Sequence, residues 1–244
     1  MTQRILATSG GFISTGLWGV LAPGRTMLRA LELTKKERPK VALVLTASGD
    51  DPQYLSQMYS ALASSSCDVD HLALFTQPNR EPDEILNWAD LVWVGGGSVA
   101  NLLALWRLHG VDTAMAQAWE SGTILAGVSA GSICWHVGGP TDSFGKELQP
   151  VTNALGLLPY GNGVHYDSEA QRRPLLQQLV LDEVLPTSYA TDDRVGILYE
   201  GTEPVEVICD VDADPTIGPA AYLVEKTGGV VVEKRLAPGV IGKT

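Results

Sequence analysis

No apolar run in this 244-residue sequence reaches the ~18 residues that a membrane-spanning helix needs. The N-terminal segment, residues 1–12, holds only a short apolar stretch ahead of a glycine pair. It reads as a first strand rather than a signal peptide, so a cytoplasmic location is expected. Cysteine is scarce: Cys67, Cys134 and Cys209 are widely spaced and odd in number, and no Cys-x-x-Cys pair occurs. Neither a disulfide framework nor a zinc knuckle is indicated, and buried reduced thiols are expected. Positive charge is also short, with 17 Lys and Arg against 28 Asp and Glu and a net charge of −11. Nucleic acid and anionic membranes attract basic faces, so neither is expected as a main partner. A locally basic pocket for an acidic substrate remains compatible with that balance. Linkers, low-complexity tracts and internal repeats are missing too, and one domain over residues 1–244 is expected.

What is present is a regular alternation through about the first two-thirds of the chain. Strand-like runs near residue 4, at 40–45, 70–75, 91–94 and 123–128 alternate with helical stretches at 24–36, 51–64, from Pro82, 98–108 and 112–121. Beyond their first one or two residues the runs are continuously apolar instead of alternating with polar residues, as strands covered on both faces require. The expected architecture is α/β, doubly wound, with a mainly parallel sheet between two helical layers. After Ser132 glycine and proline become frequent. Short β-like segments follow at 206–210, 220–225 and 230–234, the last two flanking a Lys-Thr-Gly-Gly hairpin signal. They predict an antiparallel C-terminal edge.

Gly127-Val128-Ser129-Ala130-Gly131 fits Gly-x-Ser-x-Gly, with a buried strand before it and a helical stretch after it. Such a strand–turn–helix can hold a serine on a tight turn with its Oγ exposed at the end of the sheet. The bland alternative is a glycine-rich turn whose serine only caps a helix. Four histidines are available to serve that serine. His71 starts a strand, and His109 ends a helix before Gly110. His136 follows Ser129 by seven residues, roughly 10 Å along a helix axis, and would point away. His165, in Gly-Asn-Gly-Val-His-Tyr-Asp, is the histidine that can return to the turn. Asp142, Asp192 and Asp193 are candidate acids to orient it. No histidine follows His165, which argues against the Ser, acid, His order of an α/β-hydrolase.

Residues 91–101 run from a strand into glycines and then a helix. Gly95, Gly97 and Ala100 satisfy the loose dinucleotide fingerprint, but they follow roughly the fourth strand rather than the first, and no ribose-binding acid is evident. The catalytic alternative puts the N–H of Gly96 or Gly97 opposite Ser129. With the N–H of Ala130 it would form an oxyanion hole.

These segments, joined by 141–145, 155–159, 165–169 and 190–196, give the chain a pattern that resembles the peptidase E (aspartyl dipeptidase) family of serine peptidases, in matching order to about residue 200. The resemblance implies a class I glutamine amidotransferase-like α/β/α fold. It also implies Ser129 as nucleophile, His165 as base and a Gly96-loop oxyanion hole. For the acid it offers Asp142 or Asp192. Asp142 is preferred, because its segment follows the nucleophile helix and can return toward His165. Short peptides, with an N-terminal aspartate in the family pattern, are the implied substrates. Arg172 and Arg173 are the candidate cations for that carboxylate. The chemistry calls for no metal or organic cofactor, and a homodimer is allowed. A cyanophycinase-like hydrolase, a nucleotide-binding protein and a catalytically silent scaffold are the competing readings.

Overall fold

Strands that are apolar on both sides must be covered on both faces, and the computed structural model, which describes residues 2–242, has that arrangement. Five parallel strands form most of the main sheet: β1 (Arg4–Thr8), β2 (Lys40–Val44), β3 (Asp68–Leu72), β4 (Leu91–Val94) and β5 (Ile124–Val128). Beside β1 the sheet turns antiparallel through β6 (Val195–Glu200), β7 (Glu203–Cys209) and the short β8 (Gly239–Val240). The spatial order is β8-β7-β6-β1-β5-β4-β2-β3.

Side chains alternate strictly between two cores, as the pleat requires. Ile5, Ala42, Val44, Val92, Val94 and Leu125 face one layer, which holds α3 (Pro82–Trp88), α4 (Val99–His109) and α5 (Val111–Ser121). Leu6, Val41, Leu43, Trp93 and Ala126 face the other, which holds α1 (Arg25–Leu33) and α2 (Pro52–Leu62). The helix boundaries have local causes. Asp51 accepts the Tyr54 N–H at 2.6 Å ahead of Pro52, and Ser98 Oγ accepts from Asn101 at 3.3 Å. Gly110 and Gly122 end α4 and α5 in the left-handed conformation, at φ 72° and 101°. The strand expected at 70–75 stops at Leu72, because Asp50 Oδ2 takes the N–H groups of Leu74 and Phe75. Among the described residues no helix is long and apolar enough to cross a membrane.

The C-terminal third departs from expectation in one respect. Of the three late segments, only 206–210 joins the edge of the main sheet. Ala221–Thr227 and Val230–Leu236 form the expected hairpin, but in a separate sheet with Ser188–Thr191 and Gly161–Gly163. That sheet has its own apolar partner in α7 (Arg172–Leu181): Leu176, Leu179 and Val180 pack with Tyr166, Ala190 and Val224. The chain leaves Ser188–Thr191 for β6 within a few residues, which ties the small sheet to the antiparallel side of the large one.

From β1 the chain passes over two strand positions to β2 and returns later to fill them with β4 and β5. The carboxyl ends of β1, β5 and β4 are thus neighbours, at the place where an open α/β sheet leaves a crevice for a ligand.

Candidate active site

Ser129 leaves the end of β5 with φ 57° and ψ −112°, a conformation that a side chain adopts only under constraint. The constraint comes from both flanking glycines. A Cβ on Gly127 would lie 2.3 Å from the Gly131 carbonyl oxygen, and one on Gly131 would lie 2.3 Å from that of Val94. Only glycines let the chain fold back this closely on β4. The Ser129 N–H donates to Thr8 O at 3.0 Å, and its carbonyl accepts from Ser132 at 2.8 Å and Ile133 at 2.9 Å. The helix that follows, α6 (Ala130–Ile133), is a single turn. It ends before His136, which is fully buried and gives Nδ1 to Ser132 O at 2.9 Å. Burial lowers the pKa of His136 to about 4, so it stays neutral inside the core.

His165 arrives at the same strand end from the other side. Its N–H donates to Ser9 Oγ at 3.0 Å, while Ser9 also contacts the Thr191 hydroxyl at 2.7 Å. Consecutive residues of one strand end, Thr8 and Ser9, therefore hold the main chains of Ser129 and His165. His165 also has positive φ, 53°. Backbone strain of this kind costs about 1–3 kcal/mol per residue and clusters at functional sites.

The carboxylate against His165 belongs to Asp193, with Oδ1 2.5 Å from Nδ1. Asp193 is itself held by Asp167, whose Oδ1 accepts the Asp193 N–H at 2.8 Å. Asp192 points the opposite way. Its Oδ2 accepts from the Ala220 N–H at 3.0 Å and the Tyr222 hydroxyl at 3.1 Å, in the small sheet. Burial raises its pKa against the pull of those donors. Asp142 is largely exposed, 4.0 Å from Arg172 and on the rim of a surface depression with Lys146 and Glu169. Neither Asp142 nor Asp192 is the partner of His165, contrary to expectation. The cause is a turn: Asp192 follows directly on Ser188–Thr191 and stays with the small sheet, whereas Asp193 lies in the tight turn closed by the Val195 N–H on Asp192 O at 3.1 Å, with Arg194 at φ 69°.

Arg172 and Arg173 also differ from expectation. Arg172 is buried, giving Nε to Glu169 at 2.7 Å and Nη1 to Pro140 O at 2.5 Å, and so fastens α7 to the preceding loops. Arg173 is paired with Glu233, Nε to Oε1 at 3.1 Å, and lies over the rings of Tyr166 and Tyr222 at 4.9 and 4.6 Å. The hydrogen bond with Glu233 raises the Arg173 pKa further. Both guanidiniums are spent on the fold. Arg194, next to Asp193, is exposed.

The glycine loop faces Ser129 as expected. A Cβ on Gly96 would lie 3.3 Å from Ser129 Cβ and 3.9 Å from Oγ. Gly97, at φ 135°, packs its α-carbon against the Ala47 carbonyl, where a Cβ would come within 2.3 Å. Among the described residues, the N–H groups of Gly96, Gly97 and Ala130 donate to no protein group. Sequence reasoning missed Ser9, Asp167 and Tyr54, whose ring underlies the loop at Gly95. Asp167 lies in the same segment as His165, whereas Ser9 and Tyr54 come from distant segments and neither lies in a recognisable motif.

A three-layer α/β/α protein with a serine on a strained turn, an amide-lined loop opposite it and a histidine–carboxylate pair at the same strand end has the parts used in acyl transfer. Residues 21–207 match the model of peptidase family S51, and the chain belongs to that family of serine-type peptidases. It is 39% identical over 201 residues to YgaJ of Bacillus subtilis (strain 168), an uncharacterised peptidase, covering 81% of this chain and 83% of that protein. It is 28% identical over 142 residues to peptidase E of Shewanella denitrificans, covering 54% and 59% respectively. In fold it is similar to the crystal structure of a peptidase from an acI-B1 actinobacterium. The TM-score is 0.72 at 16% identity, over 100% of this chain and 98% of the other. A candidate peptidase E protein of Listeria monocytogenes EGD-e gives 0.61 at 18% identity, over 86% and 99%. The class I glutamine amidotransferase-like fold expected from the sequence is the fold of this chain.

Proposed function

We propose that this peptidase hydrolyses short peptides through an acyl-enzyme on Ser129, with His165 as general base and Asp193 as the acid that orients it. The observation that carries this reading is the joint anchoring of Ser129 and His165 on Thr8 and Ser9, with Asp193 against Nδ1 of the imidazole. His165 takes the Ser129 hydroxyl proton as Oγ bonds to the scissile carbonyl carbon. The oxyanion that results is held by the Ala130 N–H and the Gly96–Gly97 loop. His165 then gives its proton to the departing amine as the C–N bond breaks. Water, deprotonated by His165, attacks the acyl-enzyme and releases the acid. Every proton is accounted for by His165, and no step calls on a metal or cofactor. The positive φ of Ser129 supports its role as the exposed residue of a nucleophile elbow.

In this reading residues 1–244 act as one catalytic domain in the cytoplasm. Preference for an N-terminal aspartate is the finer part of the proposal, drawn from the resemblance to peptidase E. It needs a guanidinium free to meet the substrate carboxylate. Arg172 and Arg173 are already engaged, so Arg194 carries that role here. The test is a panel of short peptides with varied N-terminal residues, run on wild type, Ser129→Ala and Arg194→Ala. Wild type should cleave, Ser129→Ala should lose on the order of 10⁴-fold or more, and Arg194→Ala should lose only the aspartyl preference. Cleavage that survives in Ser129→Ala would end the proposal. Equal rates on Asp-Xaa and Ala-Xaa by wild type would end its finer part.

A further inference from the structure

Ser9, the residue that follows β1, is buried, and each of its polar groups is bonded within the site. Its N–H donates to Val195 O at 2.8 Å and its carbonyl accepts from Arg194 at 3.0 Å. These two bonds hold the turn that carries Asp193. The Ser9 hydroxyl accepts the His165 N–H at 3.0 Å and lies 2.7 Å from Thr191 Oγ1 and 3.2 Å from Thr191 O. A serine hydroxyl has one proton and two lone pairs, so it can hold His165 and Thr191 together. Thr8, one residue earlier, takes the Ser129 N–H. The segments that carry Ser129, His165 and Asp193 thus meet on two consecutive residues at the end of β1.

Those two residues are themselves fixed. The Gly11 N–H donates to the buried Asp210 carboxylate at 2.6 Å, and a Cβ on Gly10 would lie 2.3 Å from the same group. The Asp210 N–H donates to Arg194 O at 2.8 Å and braces the Asp193 turn from the end of β7. His165 is held by less. Among the described residues its main chain has two partners, the Ser9 hydroxyl on its N–H and the Glu169 N–H on its carbonyl at 3.1 Å. Its φ of 53° persists only where the surroundings impose it. We propose that Ser9 is a positioning residue for the base: its hydroxyl holds His165 in the strained conformation that sets the imidazole between Ser129 and Asp193. The inference rests on the serine mechanism proposed above. Without the hydroxyl the His165 N–H loses its partner, and the main chain can relax toward negative φ and carry the imidazole with it.

The test uses a fluorophosphonate probe, which needs no knowledge of the peptide substrate: Ser129 Oγ bonds to phosphorus, fluoride leaves and His165 takes the hydroxyl proton. Ser9→Ala removes the hydroxyl. Ser9→Cys nearly keeps its shape, but sulfur accepts hydrogen bonds weakly. A misplacement of about 1 Å costs on the order of 100-fold, so both variants should label roughly 10- to 100-fold more slowly at saturating probe. The half-saturating probe concentration should stay at the wild-type value, and kcat on a cleaved peptide should fall by a similar factor with KM unchanged. Added to His165→Ala, Ser9→Ala should slow the residual labelling no further. Wild-type labelling rates in both Ser9 variants would overturn the inference. So would a loss confined to Ser9→Ala and matched by a lower melting temperature, because that is the mark of a packing role. An equal further loss in the His165→Ala background would overturn it too, since Ser9 would then act elsewhere. A wild-type protein that takes no label at Ser129 would remove the serine mechanism itself, and the inference with it.

Discussion

Replacing Asp193 with asparagine removes one negative charge 2.5 Å from His165 Nδ1 and leaves the shape of the side chain almost unchanged. The lost term is the attraction between that carboxylate and the imidazolium formed as Ser129 is deprotonated. With charge centres about 4 Å apart, it runs from ~1 kcal/mol in bulk water to ~4 kcal/mol at an effective dielectric near 20. The Asp193 side chain is 42% exposed and that of His165 is 23% exposed, so solvent screens the pair and the lower half of the range applies. A loss of about 1.5–2.5 kcal/mol corresponds to roughly 10- to 100-fold in kcat/KM. The asparagine NH₂ can also face Nδ1 and favour the wrong tautomer, which pushes the effect toward the upper figure. The assay is kcat/KM on one cleaved peptide for Asp193→Asn, Asp192→Asn and Asp142→Asn, with melting temperatures alongside. Asp142→Asn should lie within about 3-fold of wild type, as a solvated surface carboxylate would. Asp192→Asn should act on stability, through the small sheet, more than on rate. Near-wild-type kinetics for Asp193→Asn, or a larger loss at Asp142, would refute the assignment.

Two further substitutions probe the scaffold behind the nucleophile. His136 is fully buried with a pKa lowered to about 4, whereas the unfolded chain binds that proton near pH 6.5. Its contribution is complete above pH 6.5 and is lost as pH falls toward 4, at ~1.4 kcal/mol per unit and about 3 kcal/mol in all. Urea unfolding of wild type and His136→Leu at pH 7 and pH 4 should show wild type losing that much more than the variant; parallel losses would disprove it. Gly131→Ala puts a Cβ 2.3 Å from the Val94 carbonyl oxygen and must push β4 and the serine turn apart. A stability loss of about 2–3 kcal/mol with loss of peptide cleavage is expected. An unchanged melting temperature would show that the turn does not need this close approach.

The parallel half of the sheet was legible because strands such as Val41–Val44 and Leu91–Val94 are apolar at every position, which only two-sided cover explains. The serine turn was legible for a related reason, since Gly127 and Gly131 mark approaches that no side chain fits. The acid was not. Asp192 and Asp193 are neighbours with the same chemistry, and a difference of one residue sends their carboxylates to opposite sides. Arg172 and Arg173 hid their roles in the same way, because Glu169 is near in sequence but Glu233 comes from a distant strand. The hairpin at 221–236 could be read as a hairpin, yet its destination depends on packing against α7. Tyr54 reaches the glycine loop only through the tertiary fold.

The measurement that bears most directly on the central claim is mass-spectrometric mapping of the fluorophosphonate adduct on the intact chain. One adduct on Ser129, absent from Ser129→Ala and slowed severely in His165→Ala, is the predicted result. An adduct on another residue, or none on a folded and peptide-cleaving protein, would contradict it.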